Sequence, residues 1–444
     1  MKQRILALVL TLTGTQPLIA APFTDAGTLN TGGDGIAFAK FDQSGVVVDL
    51  ALGNIHGGNE TTVPANAQPG VFANADDGTF PDTTTITDPG RISALHPFVP
   101  GTGVISQDPR DLLVGYQTVN AKDVVTGSAF GVLENNGDGS FAAPAQFFST
   151  TAGRRAEVAM ADLDGDGDQD AAVTVHNRNG ATWIYENDGD STSASFTQRA
   201  VIDAGNSRTV DLALRDLDGD GYPDLIEANA AGTRKGIAIW KNDNSATSTP
   251  WTFSGPPQVL THPDSSPAVT GIDITGSLDG NISADFAIVA SYAGSGQPGI
   301  RFWTGPDPSN LSIDSQNPYA CPSDGADTRV VDLADVDADG DQDILGGSNC
   351  ADDELVVFFN DGNNQFDTSE RMDVHPGNAT PVVLSSWLGL DLDSSQDLVM
   401  GFDDNSAHVL LNTGSSSSGD SGGSSGGGSG GGGTTPPALV LAGL

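Results

Sequence analysis

Asp162-Leu-Asp164-Gly-Asp166-Gly167-Asp168-Gln-Asp170-Ala-Ala-Val173 sets five carboxylates two residues apart and then runs straight into a small apolar strand. The pattern returns as Asp216-Leu-Asp218-Gly-Asp220-Gly221-Tyr222-Pro-Asp224 and as Asp335-Val-Asp337-Ala-Asp339-Gly340-Asp341-Gln-Asp343. Carboxylates at positions 1, 3, 5 and 9 with a turn glycine at 6 can wrap a hard cation in oxygen, and the backbone carbonyl of position 7 is the expected further ligand. So many like charges in nine residues repel one another unless a divalent ion neutralises them. Calcium is the economical reading. An EF-hand would need a bidentate Glu at position 12 and flanking helices. Position 12 is Val173, Glu227 and Gly346 here, and a strand follows each loop.

The last Asp of each loop belongs to a longer series. Asp49, Asp111, Asp170, Asp224, Asp285, Asp343 and Asp397 each lead a short apolar strand, at intervals of 54 to 62 residues. A second landmark lies downstream in six copies, a hydrophobic strand ending in an Asn or Gly turn. Examples are Val132-Leu-Glu-Asn135-Asn-Gly137, Ile239-Trp-Lys-Asn242-Asp243 and Val409-Leu-Leu-Asn412-Thr-Gly414. Asn and Gly tolerate positive φ and suit hairpin turns. Two hairpins per repeat make four strands, and seven four-stranded repeats predict a seven-bladed β-propeller. The period exceeds the 40 to 50 residues or so of WD40 and kelch units.

The three Asp-x-Asp-x-Asp-Gly-x-x-Asp loops entering strands at this period resemble FG-GAP or VCBS repeats, the units of the integrin α-subunit propeller and of many secreted bacterial proteins. Gly139-Ser-Phe141-Ala-Ala-Pro144 is similar to the element that names the family. The resemblance spans roughly residues 38 to 412 and implies calcium held between the first two strands of a blade. The implied ligands are Asp162, Asp164, Asp166, Asp168 and Asp170, then Asp216, Asp218, Asp220, Tyr222 and Asp224, then Asp335, Asp337, Asp339, Asp341 and Asp343. A weaker set is Asp279, Asn281 and Asp285, where Ile282 replaces the turn glycine. Asp391-Leu-Asp393-Ser-Ser-Gln-Asp397 is two residues short, and the segments around Asp42 and Asp108 carry Lys40 and Arg110 in place of a carboxylate ladder. Three calcium ions are expected, with the Asp279 loop as a candidate fourth, and plain hairpins elsewhere.

The chain has 444 residues, with 18 Lys and Arg against 58 Asp and Glu, a net charge of −40. Such a balance repels phosphate, so nucleic acid and anionic membrane surfaces are excluded as partners. Calcium and an extracellular protein or glycan are the partners expected. Lys2 and Arg4, the apolar run Ile5 to Leu12 and the small Ala20 read as a secretory signal peptide over residues 1–20. The run is too short to span a bilayer, so no transmembrane span is expected in the mature chain. The propeller occupies 22–413, a Gly/Ser-rich linker 414–437 and a short apolar end 438–444. That end is similar to the start of a GlyGly-type sorting tail but lacks its hydrophobic helix and basic finish; truncation and a plain linker both remain open. In an oxidising compartment Cys321 and Cys350 are expected to form a disulfide.

Ring closure follows from a missing strand. The seventh repeat stops at Asn412-Thr413, so residues within 22–31 are expected to supply its outer strand. Tyr185, Trp240, Trp303 and Phe358, in phase with Leu133 and Leu410, are assigned to packing between blades. Trp251 and Trp387 lie off that phase and are read as exposed, and the six His as loop or surface residues. No nucleophile elbow, HExxH, P-loop or dinucleotide fingerprint occurs. The expected function is a secreted or cell-surface, noncatalytic adhesion or ligand-binding module. The alternative is a carbohydrate-active hydrolase or lyase on the same scaffold, recognisable by carboxylates that converge outside the calcium loops.

Overall fold

A computed structural model describes residues 23–412 except 30–34, 42–47, 54–68, 87–90, 99–109, 121–123, 151–153, 177–180, 189–194, 204–205, 244–252, 254–255, 263–266, 276–285, 295–298, 306–310, 314–327, 350–353, 364, 367, 376–378 and 405. The Asp279, Asn281 and Asp285 set, Trp251, His56, both cysteines and the two terminal segments lie outside the described residues. None of the described residues forms a helix long and apolar enough to cross a membrane.

The described residues form 28 strands in seven four-stranded antiparallel sheets. After β1 (Phe23–Leu29), blade 1 holds β2 (Ile36–Ala39), β3 (Asp49–Leu52), β4 (Gly70–Ala73) and β5 (Asp82–Thr85). Blade 2 holds β6 (Arg91–Phe98), β7 (Asp111–Val119), β8 (Val125–Leu133) and β9 (Ala145–Thr150). Blade 3 holds β10 (Ala156–Ala161), β11 (Asp170–Val175), β12 (Ala181–Asn187) and β13 (Phe196–Asp203). Blade 4 holds β14 (Arg208–Arg215), β15 (Asp224–Ala231), β16 (Gly236–Trp240) and β17 (Gln258–Leu260). Blade 5 holds β18 (Ala268–Thr275), β19 (Phe286–Ala293), β20 (Gly299–Gly305) and β21 (Ser312–Ile313). Blade 6 holds β22 (Thr328–Ala334), β23 (Asp343–Ser348), β24 (Leu355–Phe359) and β25 (Thr368–Met372). Blade 7 holds β26 (Pro381–Leu388), β27 (Gln396–Phe402) and β28 (Ala407–Asn412), with β1 beside β28 as its fourth strand. The first strands of successive blades lie side by side, and β26 also touches β2. The chain is a seven-bladed β-propeller.

Burial explains the composition of each strand. Second strands such as β11 and β23 are buried along their whole length, because a blade is covered on both faces by its neighbours. The outer strand β9 is largely open to solvent. The apolar clusters therefore form between blades: Ala287, Val289, Ile300 and Phe302 of blade 5 pack on Val331, Ile344, Val356 and Phe358 of blade 6. Tyr185, Trp240, Trp303 and Phe358 are buried in these seams, as the phase of the repeat predicts.

Two surface assignments are corrected. Trp387 is half-buried with its ring 5.3 Å from that of Phe38, across the seam between blades 7 and 1. His262 and His408 are buried, and His96 lies on the first strand of blade 2, where its Nε2 donates to the Val158 carbonyl of blade 3 at 2.5 Å. His408 lies in β28, which neighbouring blades cover on both faces, and His262 packs its ring on Tyr292 at 4.7 Å.

Among the described residues, the Asp at the start of the second strand is a latch. Asp49 accepts the Phe41 N–H at 2.9 Å and the Asn74 N–H at 3.2 Å; Asp397 accepts those of Leu390 at 2.6 Å and Asn412 at 2.8 Å. In blades 1, 2, 4 and 7 the Asn it holds then reaches the preceding blade. Asn135 donates to the Phe41 carbonyl at 2.8 Å, Asn242 to Leu163 at 2.9 Å, Asn412 to Val336 at 2.6 Å and Asn74 to Leu390 at 2.9 Å. Buried polar groups must be paired, and these two residue types pair the turns of one blade and fasten it to the next. Beyond the turn, Phe141 stacks edge-on to Phe41 at 6.0 Å and Phe366 to Phe302 at 5.3 Å, again onto the preceding blade.

Candidate metal centres

The three acidic loops join the first and second strands of blades 3, 4 and 6. Their position-6 glycines adopt φ values of 102°, 92° and 101° at Gly167, Gly221 and Gly340, a left-handed turn that a side chain would strain. The chain is bent there around the first carboxylate. Asp162 accepts the N–H groups of Gly165 at 2.6 Å and Gly167 at 3.0 Å, Asp216 those of Gly219 at 2.7 Å and Gly221 at 2.8 Å, and Asp335 those of Asp339 and Gly340, both at 3.1 Å. Asp166, Asp220 and Asp339 accept the position-7 N–H of their loops, from Asp168, Tyr222 and Asp341, at 3.1, 2.9 and 3.0 Å.

This folding gathers oxygen. Asp162, Asp164 and Asp170 place one carboxylate oxygen each within 4.8 Å of the others, as do Asp216, Asp218 and Asp220, and Asp335, Asp337 and Asp339. In blades 4 and 6 the ninth residues, Asp224 and Asp343, stand outside these triplets. Both are buried latches whose oxygens already hold two backbone N–H groups each. In blade 3, Asp170 is latch and cluster member at once, holding the N–H groups of Leu163 at 2.8 Å and Asn187 at 2.9 Å.

The loops fit a cation. Asp168 is only 2% exposed, and its Oδ1 has no hydrogen-bond partner. Burial, followed by the neighbouring Asp166, pushes its carboxyl up to about 7. Burial likewise raises Asp170 to about 8 and Asp224 and Asp343 to about 7, and it raises Asp164, Asp335 and Asp337. Charge held this far from water calls for a compensating cation or a proton. Blade 4 brings its own cation: Lys241 Nζ donates to Asp218 Oδ2 at 2.9 Å. Phe359 occupies the corresponding place before Asn360 in blade 6, and Glu186 the one before Asn187 in blade 3.

Blade 7 adds a fourth cluster. Asp391, Asp393 and Asp397 gather within the same 4.8 Å although the loop is two residues short. Leu392, two residues after the latched Leu390, is left-handed at φ 71°, as Gly165, Gly219 and Ala338 are at the same place in the other loops. The signal was present in the Asp-x-Asp spacing; the shortened ladder hid it.

Carboxylates also converge away from the loops. Glu157, Asp211, Asp273 and Asp332 sit on the first strands of blades 3 to 6. Asp211 accepts the Ile272 N–H of the next blade and Asp273 that of Leu333, both at 2.9 Å.

Residues 111–173 match the FG-GAP-like repeat family. The stretch is similar to an FG-GAP-like repeat. It begins at one latch, Asp111, and ends just past the next, Asp170, so it takes in three strands of blade 2 and the whole acidic loop of blade 3. No curated protein matches the chain by sequence. Among solved structures it is similar to the Dos1 propeller, with 11% identity over 88% of this chain and 96% of that one at a TM-score of 0.49. It is also similar to Saccharomyces cerevisiae Sqt1, with 12% identity over 87% and 97% at a TM-score of 0.47.

Proposed function

We propose that this FG-GAP-repeat propeller is an exported or cell-surface calcium-binding protein that presents its blades to an extracellular protein or glycan and catalyses no reaction. The carrying observation is the gathering of carboxylates at one place in blades 3, 4 and 6, with a buried, partnerless oxygen on Asp168. The loops would supply side-chain oxygens and the position-7 carbonyl; the ion would supply charge balance and bind the first hairpin of each blade. Export rests on the N-terminal Lys2, Arg4 and Ile5–Leu12 pattern. The noncatalytic reading is supported by Asp211 and Asp273, inner carboxylates committed to backbone N–H groups of neighbouring blades.

Calcium titration of the chain from residue 21 onward tests the metal, and a glycan array with protein pull-down in calcium and in chelator tests the ligand. Three or four equivalents of calcium and calcium-dependent capture are expected. Absence of any heat of calcium binding would overturn the metal reading. Hydrolysis of a glycan that survives replacement of the loop aspartates would favour the hydrolase or lyase.

A further inference from the structure

Basic side chains are scarce, 18 Lys and Arg against 58 Asp and Glu, yet blades 3 and 4 gather a group of them at one end. The strand register fixes which end. Ala156 pairs with Val175 and Ala161 with Asp170, so Arg154 and Arg155, just before β10, and His176, just after β11, lie at the end of blade 3 away from its acidic loop. In blade 4, Arg208 pairs with Ala231 and Arg215 with Asp224, which puts Arg208 and the turn holding Arg234 and Lys235 at that same end. The two groups adjoin, because β10 and β14 lie side by side.

The backbone under these side chains is fastened. Ser128 of blade 2 accepts the Arg154 N–H at 2.9 Å and donates its hydroxyl to the Arg154 carbonyl at 2.5 Å. The His176 N–H donates to the Arg155 carbonyl at 2.9 Å. Ser207, next to Arg208, accepts the Arg234 N–H at 3.0 Å, and the Arg234 guanidinium lies 4.6 Å from the centroid of the Trp240 ring. Arg154 and Arg208 are exposed, and Arg155, Arg234 and Lys235 are half-buried. Between Arg154 and Gly236 the acids at this end are Glu157 and Asp203. Glu157 is engaged by Arg155 at 3.1 Å and lies 3.3 Å from His176 Nε2; Asp203 closes the outer strand β13. In sequence, residues 151–153, 177–180 and 204–205 add Arg178 and no Asp or Glu.

The six residues of β10 span about 20 Å at about 3.3 Å each, so the loop carboxylates stand roughly two Debye lengths from this end at physiological salt. Its field is therefore local and positive, although the chain as a whole carries −40. Four of the five described cations are Arg, whose planar fork pairs with a carboxylate through two parallel hydrogen bonds. Residues 149–155, 176–180, 204–208 and 232–236 are otherwise Gly, Ala, Ser, Thr, Asn and His, with no large apolar side chain to form the dry centre of a protein interface.

We infer that this end of blades 3 and 4 binds a carboxylate-bearing glycan, held by Arg154, Arg155, Arg208, Arg234 and Lys235. The inference rests on the ligand-binding reading above and gives it a face and a ligand class. Polar turns would hydrogen-bond sugar hydroxyls between the guanidinium–carboxylate contacts.

The test measures capture of the calcium-saturated full chain on immobilised hyaluronan, a uronate polymer, beside neutral dextran and polyglutamate. Hyaluronan should be held, dextran should not, and capture should weaken as salt rises. Arg154→Gln with Arg208→Gln should weaken hyaluronan binding by about tenfold or more, because two exposed charge contacts are lost. Arg199→Gln with Arg371→Gln, which removes the same charge from β13 and β25, should change it little. Equal losses in the two pairs would reduce the effect to net charge and overturn the surface. Tighter binding of polyglutamate than of hyaluronan would put an acidic protein there instead and overturn the glycan. Capture of dextran that neither pair disturbs would overturn this surface while leaving the ligand-binding reading intact; no capture of any kind would count against both. Wild-type capture that is indifferent to salt would also overturn it, and that measurement needs no variant to fold.

Discussion

Asp170 carries two roles that blades 4 and 6 keep apart, and that separation makes each measurable. Asp49 in blade 1 is a latch in a repeat whose loop residues include Lys40, so Asp49→Ala strips the partners from the buried Phe41 and Asn74 N–H groups alone. The expected cost is about 2 to 6 kcal/mol, from about 1 to 3 kcal/mol for each of the two buried groups left unpaired. Denaturant unfolding should find that cost equal in calcium and in chelator, whereas the cost of Asp170→Ala should be larger in calcium. Asp166, exposed at position 5, has no latch role, and Asp166→Ala should remove about one equivalent in a calorimetric titration while barely moving the chelated protein. Lys241 competes for the blade 4 loop through its bond to Asp218, which also holds the ammonium above its ordinary value. Lys241→Ala should therefore tighten calcium at one site of the set; weaker binding would show that the lysine supports the loop instead.

At the level of strands and turns, the sequence displayed the periodic parts well. The Asp leading each second strand, the Asn or Gly closing the third strand in six repeats and the four-strand count all follow from local spacing, because a β-hairpin joins residues close in sequence. The fastening between blades was not legible. The partner of Asn242 is the carbonyl of Leu163, 79 residues away, and a carbonyl has no identity in the sequence. The inner carboxylates do recur at the repeat period, in Val210-Asp211-Leu212, Ile272-Asp273-Ile274 and Val331-Asp332-Leu333, but only the side-by-side first strands bring them to the backbones of the next blade. Trp387 escaped because its partner, Phe38, is 349 positions earlier, across the seam where the chain's two ends meet. The Asn bridges give a testable element. Asn135→Ala removes donors from the Phe41 and Arg110 carbonyls, at 2.8 and 2.9 Å. A loss of about 1 to 3 kcal/mol is expected, with hydrogen-exchange protection falling in blades 1 and 2 together. Loss of protection confined to the Asn135 turn would mean that the bridge does not couple the blades.

On the scale of the whole molecule, the two ends of the described chain lie in one sheet. β1 runs antiparallel to β28 with Phe23 opposite Asn412 and Leu29 opposite Ala407, with a register shift between Asp25 and Gly27. Phe23 is buried against Val357 and Val374 of blade 6 and Leu398, Met400, Phe402 and Leu410 of blade 7, so the strand contributes core as well as hydrogen bonds. Every other blade draws its four strands from one continuous stretch, and its unfolding would leave the remaining chain free to stay folded only if neighbouring seams tolerated the exposure. Blade 7 is different, because its fourth strand comes from the far end and ties blade 7 to the chain entering blade 1. Removal of residues 22–31 strips β28 of its neighbour, leaves an unpaired strand edge and empties the Phe23 site, and truncating a buried Phe alone costs about 3 to 5 kcal/mol. The expected outcome is a lower melting midpoint with a broader transition, blades 7 and 1 losing exchange protection first, and a gain in self-association through the bared β28 edge. Phe23→Ala should lower the midpoint without broadening it, since it keeps the strand and its backbone pairing. Equal breadth in the two variants would show that the strand acts only through its core side chain and that the ring holds without its backbone pairing.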